Sequence, residues 1–90
     1  MTQPDCIYLD VSELPAPEPM QRTLEALAGL PEGKYLHFHH RQYPALLFER
    51  LENRGFEEVT LQGNGGTVDV YIWRKGDSLA AARAREVAQP

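Results

Sequence analysis

Cysteine is nearly absent. Cys6 is the only one in 90 residues, which excludes an intrachain disulfide and a metal cage built from cysteines alone. Positive charge is also short, with Lys plus Arg 9 against Asp plus Glu 13 and a net charge of −4. That balance disfavours non-specific nucleic-acid binding, which needs a basic face. Apolar runs are only a few residues long, so nothing in the sequence reads as a membrane span. Met1-Thr2-Gln3-Pro4-Asp5 lacks the basic start and apolar core of a signal peptide. The default expectation is a reduced, cytoplasmic protein. An apolar content of 42% over this length supports one small domain with a single two-layer core.

Proline, in contrast, is concentrated. Leu14-Pro15-Ala16-Pro17-Glu18-Pro19-Met20 places three prolines in five residues, a run that fits neither a helix interior nor a central strand. A period-two stretch, Cys6 to Val11, precedes it, with Ile7, Leu9 and Val11 on one side. A helical stripe follows, with Met20, Leu24, Leu27 and Ala28 recurring on one face. The prolines therefore form a stiff bend at a strand-to-helix junction, where binding groups often gather. Pro17 or Pro19 suits the first helical turn, and Glu18 complements the helix dipole there. The bend contains no Cys, Ser, Thr, His or Lys, so it offers no nucleophile, and no enzymatic activity is expected.

Gly29 and Pro31 stop the first helix, and Pro31-Glu32-Gly33 reads as a tight turn with Pro second and Gly fourth. Lys34 to His40 is a second strand, with Leu36 and Phe38 on one face and Tyr35, His37 and His39 on the other. Tyr43 and Pro44 open a second helix whose stripe is Leu47, Phe48 and Leu51, ending at Asn53-Arg54-Gly55-Phe56 with Gly55 left-handed. Glu57 to Gln62 is a third strand with Val59 and Leu61 inward. Gly63-Asn64-Gly65-Gly66 is a loose hairpin turn, and Thr67 to Arg74 a fourth strand with Val68, Val70 and Ile72 inward. The expected core is Leu24, Leu27, Leu36, Phe38, Leu47, Leu51, Val70 and Ile72. Residues 1–75 form the domain. Residues 76–90, rich in Ala and Arg with a weak apolar stripe, read as a tail with at most a short frayed helix. The order β-α-β-α-β-β, with right-handed crossovers, gives an α+β two-layer sandwich. Two helices lie on one face of a mixed four-stranded sheet.

The Leu9-Asp10-Val11 strand end, the proline run and the Leu30-Pro31-Glu32-Gly33 turn together resemble the TusA/SirA-like sulfur-carrier superfamily over roughly residues 7–75. Pro-Ala-Pro-Glu-Pro, the His-rich strand and Leu-Glu-Asn-Arg-Gly-Phe are similar to a TusA-like branch of unknown function. The resemblance implies a sheet order of 1-2-4-3. In the sulfur carriers the junction reads Cys-Pro-x-Pro, and the cysteine carries a persulfide. Here Ala16 stands at that position, so the resemblance implies the scaffold without the sulfur-bearing atom. Cys6, about ten residues upstream and pointing away from the helices, is no substitute.

Three further features suggest binding. His37 and His39 share a strand face, and with His40 they are the metal- or haem-ligand candidates. His40 and Arg41 can instead meet an anion at the mouth of the second helix. Tyr8, Tyr35, Tyr71 and Trp73 emerge on the sheet face that two helices leave open, an aromatic patch of the kind that marks a contact surface. The leading expectation is a non-enzymatic, cofactor-free binding module. It acts through Pro17, Glu18 and Pro19 and through the open face, His37, Tyr71 and Trp73 included, on a protein partner or small ligand, or as a homodimer. It contacts neither nucleic acid nor membrane. The alternative is a metal- or haem-binding protein of redox metabolism that uses His37, His39 and His40. A weaker third reading is an accessory that docks to the partners of true sulfur carriers.

Overall fold

The computed structural model describes residues 6–15, 17–42 and 44–88. Strands β1 (Cys6–Asp10), β2 (Tyr35–His40) and β3 (Phe56–Gln62) are separated by helices α1 (Glu18–Ala28) and α2 (Ala45–Asn53), and a short 3-10 turn leads from β3 to β4 (Val68–Arg74). A third helix, α3 (Ser78–Val87), follows them. The sheet order is β1-β2-β4-β3. β1 pairs parallel with β2, pairing Ile7 with Leu36 and Leu9 with Phe38. β4 lies antiparallel between β2 and β3. The expected order and topology are therefore present, with α1 and α2 on one face.

That face carries the main core. Leu27 and Leu30 from the first helical segment and Leu47 and Leu51 from α2 pack on Val11, Leu36, Phe38, Val68, Val70 and Ile72. Seven of the eight expected core residues are buried; Leu24 is only partly so. The reason is the phase of α1. Its buried line is Pro19, Thr23 and Leu27, spaced by four. Thr23 was unexpected there because a buried hydroxyl needs a partner, which it has: its Oγ1 donates to the Pro19 carbonyl at 2.7 Å. The C-terminus of α1 is closed from across the molecule. Arg74 Nη2 donates to the carbonyls of Leu27 (3.2 Å) and Ala28 (3.4 Å) at the helix end, where intrahelical donors run out, and to Leu30 (3.3 Å) just beyond it. Gly55 is left-handed after α2, with φ 81°.

The second face differs from expectation. Residues 78–87 are a docked helix. Ala80, Ala84 and Ala88, spaced by four, press on Tyr35, Tyr71 and Trp73 and are themselves buried. The stripe is weak in hydrophobicity because the bulk comes from the sheet: small helix residues let the backbone approach a floor of large rings. Asp77 caps α3, its Oδ1 accepting from Ala80 N–H at 3.0 Å, while Oδ2 accepts from Gly33 N–H at 2.7 Å. Arg83 donates to Gly33 O at 2.8 Å. The turn at Gly33 is shifted by one residue from the expected register, with Lys34 N–H bonded to Pro31 O and Gly33 at φ 80°. A Cβ there would lie 3.3 Å from Leu79, so glycine serves both the turn and the approach of α3. Val59 and Leu61 also point to this face rather than to α1 and α2, packing against the α3 cluster.

Candidate functional site

The alternation along β2 separates the three histidines. His37 and His39 lie on the α3 face of the sheet, beyond the helix. His40, like Phe38, lies on the α1/α2 face. The set His37, His39 and His40 is therefore not one cluster. Among the described residues no group of three or more His, Cys, Asp or Glu side chains is placed to hold a metal ion. His37 Nε2 and His39 Nδ1 instead share one oxygen of Asp69, at 2.7 and 2.8 Å. Asp69 comes from β4, whose register sets it opposite His39. Burial pushes the Asp69 carboxyl up, but the hydrogen bonds from His37 and His39 outweigh it and hold the group below the usual carboxylate range. The His37 ring stacks on Tyr71 at 4.4 Å and meets the edge of exposed Tyr8 at 4.9 Å. The arrangement is a satisfied polar network on a half-exposed surface.

Tyr71 and Trp73 were expected on an open contact face together with Tyr35. That expectation is corrected: Trp73 is 1% exposed, Tyr35 4% and Tyr71 7%, all under α3. The Trp73 ring N–H donates to Glu57 at 3.3 Å, and the Arg85 guanidinium sits 5.3 Å from the Trp73 rings, a cation–π separation.

The remaining candidates converge elsewhere. Between the proline bend and the start of α2 lies an open cleft of about 480 Å³, a size typical of small-molecule sites. Its lining includes Leu14, Pro15, Pro17, Pro19 and Met20 on one side and Pro44, Ala45, Leu46 and Leu47 on the other. Phe38 and His40 come from β2, and Arg41 and Gln42 from the connection that follows it. Four residues flagged from sequence, Pro17, Pro19, His40 and Arg41, thus meet in one place. Glu18 does not line the cleft; it sits in the first turn of α1. Leu14, Met20 and Leu46 were missed as site residues because apolar side chains flanking prolines read as core. Their signal was adjacency to the bend and, for Leu46, its position ahead of the buried stripe of α2. Ala16 and Tyr43 lie outside the described residues.

His40 is the most constrained polar group here. It is 9% exposed, and its Nδ1 is buried with no hydrogen-bond partner among the described residues. Burial holds the imidazole below the ordinary histidine range, with Arg41 and His39 adding to the effect and Asp10 opposing it. Its neutral form is therefore favoured. Arg41 is exposed and has no ion-pair partner among the described residues.

Comparison with known proteins places this geometry. Residues 8–74 match the model of the family described as "Uncharacterized conserved protein (DUF2249)". The chain belongs to this family. The match contains the proline bend, β2 and α2, hence the whole cleft, and ends at Arg74, before α3. The fold is also that of a solved SirA-like protein from Desulfitobacterium hafniense. TM-score is 0.64 at 24% sequence identity, covering 72% of this chain and 92% of that one. No curated protein matches. A SirA-like fold agrees with the sheet order and the helix pair described above. Cys6 lies just outside the family match, at the start of β1, packed against the α3 cluster. Burial pushes its thiol up, and hydrogen bonds involving Tyr35 and the His37 backbone offset this only in part. A raised thiol pKa means less of the nucleophilic thiolate.

Proposed function

We propose that this chain is a non-enzymatic binding module on a sulfur-carrier-like scaffold, that it takes a small ligand in the cleft between the proline bend and α2, and that it does not carry sulfur. The cleft carries the reading. It is a concave, mostly apolar surface with a few convergent polar groups at one end, the usual composition of a ligand site. Ala16 stands at the position matching the persulfide cysteine of the carriers, and the raised thiol of Cys6 sits on another part of the sheet. Two experiments test the two halves. In ligand-observed NMR with a mixture of small organic fragments, neutral and charged, binding is expected for the native chain and lost in Leu46→Glu. Leu46 is 65% exposed at the cleft, so that change alters the rim without disturbing the core. Binding unaffected by Leu46→Glu would place the ligand elsewhere. Incubation of Cys6→Ser with a cysteine desulfurase and cysteine is expected to leave the intact mass unchanged. A stable gain of one sulfur would overturn the non-carrier half.

A further inference from the structure

The charged groups of the cleft are of one sign. None of its described lining residues is acidic. Arg41, exposed and without an ion-pair partner among the described residues, brings an unneutralised cation to the cleft. The nine-residue helix α2 begins at the cleft with Pro44 as its N-cap. Proline has no side-chain oxygen to accept from the first-turn N–H groups, and that turn holds no acidic residue. Leu47 and Phe48 N–H donate to Pro44 O at 3.0 and 3.4 Å, while Ala45 and Leu46 N–H have no acceptor among the described residues. A helix start of this kind carries partial positive charge and has amide donors for an anion. His40, more than nine-tenths buried, lines the same cleft, with its Nδ1 unpartnered among the described residues. That atom is closed to solvent, so His40 lines the cleft without offering its Nδ1 to a ligand. The opposite wall is proline, leucine and methionine, which gives an inorganic anion nothing to pack against.

We propose that the cleft takes a small organic anion, a carboxylate on an apolar body, with the acid at the Arg41 and α2 end and the body along the proline wall. This rests on the reading of the cleft as the binding site. The same groups argue against a cationic ligand, which would meet Arg41 and the helix start unfavourably. They also argue against a purely hydrophobic one, which would cover Arg41 and the α2 start without pairing them.

The test is amide NMR titration of the full chain with three probes: octanoate, octan-1-ol and inorganic phosphate. Octanoate is expected to shift the amides of Arg41 and of Ala45 to Leu47 and to bind at least tenfold more tightly than either other probe. Arg41→Gln, a change at an exposed position, is expected to weaken octanoate at least fivefold and leave octan-1-ol unchanged. If octan-1-ol matches octanoate at these same amides, the anion proposal is overturned while the cleft remains the site. If phosphate matches octanoate, the apolar body is overturned. If octanoate shifts no cleft amide, both the proposal and the reading beneath it fail.

Discussion

The two faces of the sheet solve the same burial problem in opposite ways. On the α1/α2 face, large aliphatic side chains from helices and strands interdigitate. The proline bend and the start of α2 leave an open cleft at one end. On the α3 face, the strands supply the bulk as Tyr35, Tyr71 and Trp73, and the helix supplies only alanines. That roof is close-fitting where it reaches, and it stops short of Tyr8, His37, His39 and Asp69. The lesson is that helix hydrophobicity is a poor guide to docking when the partner surface is aromatic. Small residues win by allowing approach, and the area buried belongs mostly to the rings.

The strongest way to break this comparison is to remove the floor. Trp73→Ala is expected to cost about 3–5 kcal/mol, the range for a large aromatic lost from a core, measured by chemical denaturation. A cost of a few tenths would mean that the ring is exposed and that α3 does not cover it. A smaller effect is expected from thickening the roof. Ala84, fully buried over the floor, changed to Leu should cost about 1–3 kcal/mol through overpacking. It should also speed amide exchange in α3 while leaving α1 protected. Uniform loss of protection would show that the two faces unfold as one unit.

The smallest effect sharpens the other face. His40 is held below its ordinary value of 6.5 by burial first and then by Arg41 and His39, against the pull of Asp10. The unfolded chain therefore binds this proton more readily than the folded one. Stability is full above about pH 6.5, declines as pH falls through that value, and levels off once folded His40 is also protonated. The Asp69 carboxyl is depressed from 3.8, so its contribution is lost only at lower pH and does not mask the effect. His40→Gln is expected to flatten the stability profile between pH 7 and 5. An unchanged slope would show that His40 is not the group responsible.

Much of the fold was legible because each signal was local. Period-two runs marked the strands, and prolines and glycines marked the breaks. The neighbour relation of β2 and β4 came from the resemblance, since spacing cannot order strands. The misreadings share one cause, which is that burial is decided by what lies opposite. Thr23 is buried because Pro19 O accepts its hydroxyl proton. Val59 and Leu61 look inward on either face, and only α3 decides which. The Ala80, Ala84 and Ala88 stripe looked weak until set against Trp73. The separation of His40 from His37 and His39 was available from strand parity, but three histidines in four residues drew the eye as one group. The cleft was half legible: its prolines and Arg41 were marked, its apolar wall was not.

The central claim is that the α1/α2 face binds and that α3 closes the opposite face over Tyr35, Tyr71 and Trp73. Hydrogen exchange of the full chain with and without octanoate tests it most directly. The account predicts ligand-dependent protection in the first turns of α1 and α2 and around His40 and Arg41, with Tyr71, Trp73 and α3 unchanged. Protection confined to the strands around Tyr8, His37 and Asp69 would contradict it.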